Sequence, residues 1–154
     1  MIAAAVTATV VALTAPTAAP PATAGAPFAT LAIPSIGLRE LVREGVSADV
    51  LAAGPGHYPG TSVPGRGGTI ALAGHRVTHT RPFLHINELR RGEPIVVTRR
   101  SRRYVYRVFA MRIVAPTDVS ALRRTRVETL VLTACHPPRT DVRRLVVFAE
   151  RADS

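Results

Sequence analysis

The single cysteine of the chain, Cys135, ends an apolar run in the segment VLTACHPPRTDVRRLVVFAE. A lone thiol is either a small buried hydrophobe or a reactive group, and it excludes a disulfide within the chain. Strand alternation predicts that Val131, Thr133 and Cys135 share one face, with the thiol at a strand end where a loop leaves it accessible. His136, two prolines and a basic turn follow, and such an electropositive setting favours a reactive thiolate. The position therefore favours a nucleophile over a packing residue.

A nucleophilic cysteine needs a proton-transfer partner, usually a histidine that folding brings close to it. Among the five histidines, His75 ends the apolar segment TIALAGH, and its ring is therefore also expected at a strand end, after a glycine that permits close backbone approach. His57, His79 and His85 lie in turn-like or helical segments and are predicted to be surface or capping residues. His136 directly follows the cysteine, and strand alternation turns it to the opposite face. His75 is the better candidate for the acid or base.

Arg144 begins the segment RLVVFA, nine positions after Cys135, and is predicted to open the next strand. If that strand pairs with the cysteine strand, the guanidinium lies above the thiol. Because a guanidinium does not deprotonate in proteins, it can serve only as a donor and an electrostatic partner, for example to a developing oxyanion. The alternative is a surface arginine at a strand start.

The segment HRVTH places His75 and His79 at positions i and i+4, the spacing of a helical zinc site. No glutamate follows the first histidine, the Val and Thr content disfavours a helix, and a second ligand pair is missing. We therefore expect neither a metal nor another cofactor.

The segments that must position these residues are short and rich in Val, Ile, Leu, Tyr and Thr, with Gly and Pro at their ends, which is typical of β-strands. The strand candidates are ATLAIPSIGL, interrupted at Pro34, GTIALAGH, EPIVVTRR, RRYVYRVFAMRIVA, VETLVLTAC and RRLVVFAE. The helix candidates are short, namely SADVLAAG, with serine as N-cap and glycine as stop, and FLHINELRRG. This pattern predicts one all-β domain, a barrel or a sandwich.

All 20 basic residues are arginines and the formal net charge is +10, which would suit an anionic partner such as nucleic acid or an acidic cell envelope. Most arginines lie at predicted strand ends and turns, where a solvated charge protects a hairpin from edge pairing. Tyr104 and Tyr106 share a predicted strand, but no single-strand-binding pattern of aromatic residues follows. We therefore expect no nucleic-acid binding. The alternative to an enzyme with a nucleophilic cysteine is a non-catalytic basic β-barrel that binds an anionic polymer or peptide.

The N-terminal segment carries no charged side chain through Pro27. Ile2 to Leu13 is an apolar run of signal-peptide length, short for a membrane span and without the usual basic residues before it. The Ala/Pro/Thr-rich stretch from Thr14 to Pro27 is predicted to be an unfolded spacer. We interpret residues 1–28 as a partial signal or anchor segment with a linker, and residues 29–152 as the folded domain; the alternative is that the apolar run is incidental.

The segments IALAGHR, LTACHP and RLVV, in that order, resemble the sortase family of cysteine transpeptidases, and the resemblance extends over about Ala29 to Arg151. The family carries a histidine in an AGH strand end, a cysteine that closes a TLxTC strand and an arginine that opens the next strand. These positions match His75, Cys135 and Arg144. The segments GPGHYPGTSVPGRGGTIALAGHR and CHPP are most similar to the class E sortases of high-GC Gram-positive bacteria, in which the same short cysteine-to-arginine spacing selects Arg144 over Arg143.

The resemblance implies a closed, eight-stranded β-barrel with one or two short helices and a two-step acyl transfer. Cys135 attacks the Thr–Gly peptide of an LPxTG- or LAxTG-type sorting signal, Arg144 stabilises the oxyanion, and His75 protonates the departing amine. A cell-wall amine, from a peptidoglycan cross-bridge or diaminopimelate, then resolves the thioester, with His75 as base. The implied location is the extracytoplasmic face of the cell membrane in a Gram-positive-type envelope, through an N-terminal anchor. The rival L,D-transpeptidases carry an SHGC-type signature that this sequence lacks.

For the substrate pocket the resemblance implies Tyr58, in GHYPG, as a contact of the second signal residue, with a packed loop tyrosine as the alternative. Thr133 and His136 are weaker candidates for the pocket wall. The sequence departs from TLxTC at both threonines, which are replaced by Val131 and Ala134. These departures affect the pocket and not the reaction class, because neither position supplies the nucleophile, the acid or the cation.

Overall fold

The computed structural model describes residues 23–152, and the predicted apolar run Ile2 to Leu13 lies outside the described residues. Eight strands form a closed barrel. The strands are β1 (Pro27–Ile33), β2 (Leu38–Glu44), β3 (Gly56–His57), β4 (Thr69–Ala73), β5 (Pro94–Arg99), β6 (Arg102–Val114), β7 (Thr129–His136) and β8 (Arg143–Arg151). The helical elements are α1 (Ala48–Ala53) and the 3-10 turns Pro34–Ile36, Ile86–Glu88 and Ser120–Leu122. The predicted all-β fold with a short helix is confirmed, and no helix in the described part of the chain is long and apolar enough to cross a membrane.

The strand order brings the two candidate strand ends to the same edge of the barrel. Around the barrel the order is β1-β2-β3-β4-β7-β8-β6-β5, and β5 closes on β1. Strands β4 and β7 pair in parallel, from Thr69 opposite Thr129 to Ala73 opposite Thr133. Because parallel strands end at the same edge, the chain leaves β4 towards His75 beside the end of β7. Strand β8 runs antiparallel to β7 and therefore begins at this edge.

Strands β4 and β7 are buried on both faces, as parallel strands usually are. Their inward side chains, Ile70, Leu72, Leu130, Leu132 and Ala134, belong to the barrel core. Ala71 and Val131 face outward and form a second cluster with Val146, covered by side chains that include Tyr58, Ala121 and Leu122. Cys135 lies two residues after Thr133 and four after Val131, so the alternation of β7 places its thiol on the outer face of the barrel wall.

His57, predicted to be a surface or capping residue, is instead a core histidine, and that prediction is wrong. It lies in β3 and is 3% exposed. Its Nδ1 lies 3.0 Å from both carboxylate oxygens of buried Glu44, and its ring stacks on Phe28 with 4.0 Å between ring centroids. The glycine- and proline-rich segment around His57 is typical of a turn, where a histidine would be exposed. In the folded barrel the Glu44 carboxylate is the hydrogen-bond partner of the ring, so the histidine can be buried. His79 and His85 are exposed, as predicted.

A buried carboxylate joins the base of β7 to a glycine turn. Glu128, directly before β7, accepts hydrogen bonds from the backbone N–H groups of Gly65 and Gly67 at 3.0 to 3.1 Å. The Tyr106 hydroxyl donates to it at 2.7 Å and the Arg151 guanidinium at 2.8 Å. Burial alone would raise the pKa of Glu128, but these hydrogen bonds outweigh burial and hold the pKa below its ordinary value. The ionised carboxylate therefore stabilises the folded barrel at neutral pH.

Glu128→Gln is expected to lower the free energy of unfolding by roughly 2–4 kcal/mol at pH 7, because the amide leaves buried donors unsatisfied. The folded-state pKa of Glu128 lies below its unfolded value, so its contribution is present above the unfolded pKa and is lost as pH falls through the folded one. Urea unfolding at neutral and acidic pH measures the free energy of unfolding of both proteins. The difference between wild type and Glu128→Gln is expected to become smaller in acid. Glu150→Gln, at an exposed carboxylate of β8, is the control, and equal losses in both variants would contradict the assignment.

Candidate active site

Cys135 and Arg144 face each other across the β7–β8 ladder. The register pairs Cys135 with Arg144 and His136 with Arg143. Nη1 of Arg144 donates to the Cys135 sulfur at 3.7 Å and also lies 3.4 Å from the carbonyl oxygen of Asp141. Because alternation turns neighbouring side chains to opposite faces, the register directs Arg144 and not Arg143 towards the thiol. The thiol thus has a permanent positive charge in contact with it.

His75 reaches the same place from β4. The Gly74 N–H donates to the Thr133 carbonyl at 3.1 Å, which extends the β4–β7 pairing one residue beyond the strand and sets His75 beside the end of β7. A Cβ atom at Gly74 would lie 2.6 Å from the Phe83 ring, closer than any real contact allows. The glycine of the AGH segment is therefore required by the packing of Phe83 beneath the loop that carries His75.

The three candidate residues line one pocket of about 260 Å³ on the outer face of the barrel. Its remaining lining residues are Val46, Leu51, Tyr58, Ala73, Gly74, Thr133 and Ala134. The hydroxyls of Tyr58 and Thr133 lie 3.0 Å apart, so both face the floor of the pocket next to the thiol. His136 is not among the lining residues, and its Nδ1 instead contacts the Arg76 guanidinium at 3.3 Å. The pocket brings together a thiol, an imidazole and a guanidinium beside two hydroxyls, a set suited to acyl transfer.

Residues 31–152 match the sortase domain family. The chain belongs to the sortase family. It is 33% identical over 145 residues to sortase SrtE1 of Streptomyces coelicolor, covering 84% of this chain and 41% of the relative. It is 33% identical over 108 residues to sortase D of Bacillus subtilis, covering 70% of this chain and 53% of that relative. The chain thus spans about half the length of these curated relatives.

Solved sortase structures share the barrel of this sortase. Sortase E1 from Streptomyces coelicolor, with a tripeptide in its active site, superposes with a TM-score of 0.77 at 31% identity, covering 84% of this chain and 90% of that one. Sortase C of Clostridium perfringens, with the C-terminal cell wall sorting motif, gives a TM-score of 0.81 at 26% identity, covering 86% and 74%. The predicted eight-stranded sortase-like barrel is confirmed by these structures.

The imidazole of His75 is biased towards its neutral form in this sortase. Partial burial lowers its pKa most, and the nearby His79 charge lowers it further. The two rings lie 5.0 Å apart between centroids at an angle of 43°. His79, which the sequence predicts to be a surface or capping residue, is exposed and lowers the pKa of His75 through its charge.

His79→Gln is expected to raise the pKa of His75, because it removes a neighbouring positive charge and leaves burial as the main cause of the lowering. The pKa still stays below its ordinary value, since burial is the larger cause. An NMR titration of the His75 ring protons measures the change directly. His85→Gln removes an exposed histidine that pairs with Glu88 and is the matched control; a His75 pKa that is the same in wild type and His79→Gln would refute the coupling.

Sequence reasoning missed three residues around the site. Val46, just before α1, and Leu51, within α1, both line the pocket. Their apolar side chains carry no reactive group that would mark them in the sequence. Arg76 directly follows His75 and is 5% exposed, although arginine is usually a surface residue. In residues 23–152 no group of three potential metal-binding side chains occurs.

Proposed function

We propose that this sortase is a cysteine transpeptidase of the class E type that cleaves an LPxTG- or LAxTG-type sorting signal between Thr and Gly. The observation that carries the proposal is the 3.7 Å contact between Arg144 Nη1 and the Cys135 sulfur, in the pocket that His75 also lines. A thiol, a permanent cation and an imidazole within one pocket of about 260 Å³ are the groups that acyl transfer through a thioester requires.

In the first half-reaction the Cys135 thiolate adds to the Thr carbonyl carbon, and the oxyanion that forms is stabilised by the Arg144 guanidinium. His75, as imidazolium, gives its proton to the glycine nitrogen as the C–N bond breaks. In the second half-reaction an amine attacks the thioester and gives a proton to neutral His75, and the thiolate leaves. The lowered pKa of His75 favours the neutral base that this second step uses.

The signal is proposed to lie in the pocket against the Tyr58 and Thr133 hydroxyls. Val46 and Leu51 supply an apolar wall for the second signal residue, and Tyr58 limits its size. The sortase C structure with the C-terminal cell wall sorting motif and the sortase E1 structure with a tripeptide support a peptide in this place. His136 belongs to the supporting layer in this proposal, because it lies against Arg76 and outside the pocket lining.

The proposed partners are C-terminal sorting signals of secreted proteins and an amine of peptidoglycan or its precursor. The proposed location is the outer face of the cell membrane in a Gram-positive-type envelope, which family membership and the sequence of residues 1–28 support. The cell-wall attachment of secreted proteins is the corresponding biological role.

The proposal is tested with the purified chain, a fluorescence-quenched LAxTG peptide, the matching LPxTG peptide and diaminopimelate or glycine amide as the amine. We expect cleavage between Thr and Gly, a peptide–amine product and a transient adduct on Cys135 with the mass of the peptide up to Thr. A peptide with Thr replaced by Val at the scissile position is the substrate control. Absence of both cleavage and adduct with LAxTG and LPxTG peptides would refute the proposal, and salt-sensitive polyanion binding without turnover would favour the non-catalytic basic barrel.

A further inference from the structure

Arg76 is a buried cation without an acidic partner. The side chain lies in the connection that follows β4, directly after His75, and the residue is 5% exposed. Within the described part of the chain, no carboxylate forms a salt bridge with it. Its Nε atom is buried and has no hydrogen-bond partner there. A buried charge is costly unless an opposite charge compensates it, so this arrangement requires an explanation.

The guanidinium of Arg76 connects the segment that carries His75 to the end of β7, which carries Cys135, and to residues 84–87. Nη1 donates to the Cys135 carbonyl at 3.5 Å and to His136 Nδ1 at 3.3 Å. Nη2 donates to the Asn87 side-chain oxygen at 2.8 Å and to the Leu84 carbonyl at 3.5 Å. All of these acceptors are neutral oxygens or a ring nitrogen. They accept hydrogen bonds from the Nη1 and Nη2 groups of the guanidinium but supply no negative charge.

The candidate negative charge is a thiolate on Cys135, because the Arg76 guanidinium already contacts the carbonyl oxygen of that residue. The titratable and charged groups around that sulfur are His75 and Arg76 from the connection after β4, His136 from the end of β7 and Arg144 from β8. Each of these is neutral or positive, so a thiolate is the charge that would balance the cluster.

We propose that Arg76 is a positioning residue that holds the end of β7 and stabilises the Cys135 thiolate from inside the barrel wall, opposite Arg144. This inference deepens the proposed function, and it rests on Cys135 being the nucleophile. The two arginines would then have different roles. Arg144 lines the pocket, where the oxyanion forms. Arg76 is held by its four acceptors and keeps a positive charge behind the sulfur throughout the cycle.

The electrostatic coupling between the two residues is reciprocal. Burial lowers the pKa of the Arg76 guanidinium, whereas a negative charge on Cys135 acts against this and favours the charged guanidinium. By linkage, a guanidinium that is stabilised by the thiolate stabilises the thiolate to the same extent. The coupling is not screened by bulk water in the way a surface pair is, because Arg76 is buried.

The decisive test uses alkylation of Cys135 by iodoacetamide, which needs no sorting peptide and therefore separates this inference from the proposed function. Arg76→Met keeps the length of the side chain and removes the charge. We expect alkylation at pH 7 to slow about ten-fold, the order expected for one buried charge near the sulfur. At high pH, where the thiol is ionised in both proteins, the two rates are expected to converge. A merely structural role would change the rate at every pH or not at all.

Two further variants make the result specific. Arg76→Lys keeps a positive charge without the planar fork, and is expected to restore most of the alkylation rate at pH 7. Arg81→Met removes an exposed arginine from the same connection and is expected to alkylate like wild type. Overturning results are a folded Arg76→Met with the wild-type rate at pH 7, or an equal slowing in Arg81→Met.

A measurement on the wild type covers the case in which Arg76→Met does not fold. Nitrogen NMR of the buried Arg76 Nε–H, which has no hydrogen-bond partner in residues 23–152, reports the charge nearby. We expect its resonance to move when Cys135 ionises, and to lose this movement after carbamidomethylation makes the sulfur neutral. A resonance that is insensitive to both changes would overturn the inference.

Discussion

Cys135→Ala is expected to abolish sorting-peptide cleavage, with a loss of at least about 10⁴-fold in kcat, because the thioester has no other residue on which to form. It is the single cysteine of the chain, so no second thiol can substitute for it. The alanine side chain fits the same strand end without a new clash, and the barrel is therefore expected to keep its stability. Stopped-flow fluorescence with the quenched LAxTG peptide measures the loss, and mass spectrometry checks for the adduct.

Cys135→Ser is the matched variant, since it keeps a hydroxyl nucleophile in the same position. The hydroxyl ionises far less readily than a thiol, so this variant is also expected to lose nearly all turnover while it still binds the peptide. Thermal unfolding of both variants controls for the fold. An adduct that persists in Cys135→Ala, or cleavage within ten-fold of wild type, would show that another group is the nucleophile and would exclude the proposed mechanism.

Strands with a dense run of apolar and aromatic residues were predictable, whereas the strongly charged β2 and the two-residue β3 were not. TIALA in β4 and TLVLTA in β7 are continuous apolar runs because they pack inward on the core and outward on the cluster around Val131. Strand β2, LRELVRE, carries four charged residues in two adjacent pairs, so it lacks the apolar/polar alternation that identifies a half-buried strand. Strand β3 has only two residues and carries no periodic signal.

The candidate site was predictable from strand ends, because the side chains of His75, Cys135 and Arg144 each mark the edge of an apolar segment. What the sequence does not show is burial of polar groups. His57 was expected at the surface because its pairing with Glu44 depends on two strands that meet only in the folded barrel. Arg76 was passed over for the same reason, since only the three-dimensional packing makes this arginine a buried one.

The two positions at which this sortase departs from the TLxTC pattern lie on opposite faces of β7. Val131 is 1% exposed and packs outward with Ala71 and Val146, in an apolar cluster that would leave a threonine hydroxyl without water. Ala134 is 4% exposed, belongs to the core and also lines the pocket. The replacements therefore act on packing around the strand, while Thr133, between them in the pattern, retains the hydroxyl that faces Tyr58.

Arg144→Ala is expected to lower kcat by roughly 10²–10³-fold with a small change in KM, because the guanidinium is proposed to act on the oxyanion and not on the ground-state peptide. Arg144→Lys is expected to recover only part of this loss, since an ammonium is a point charge that lacks the planar fork. Single-turnover formation of the Cys135 adduct measures the effect on the first half-reaction separately from amine attack.

Arg143→Ala is the matched control for Arg144, because Arg143 lies next to it on β8, is exposed, and faces His136 in the register. Its turnover is expected to stay within about two-fold of wild type, as for most surface substitutions. Iodoacetamide alkylation separates two possible roles of Arg144. If the variant loses adduct formation but alkylates at a rate close to wild type, the guanidinium acts on the oxyanion; if both rates fall together, it acts mainly on the thiolate, and the oxyanion role proposed here is contradicted.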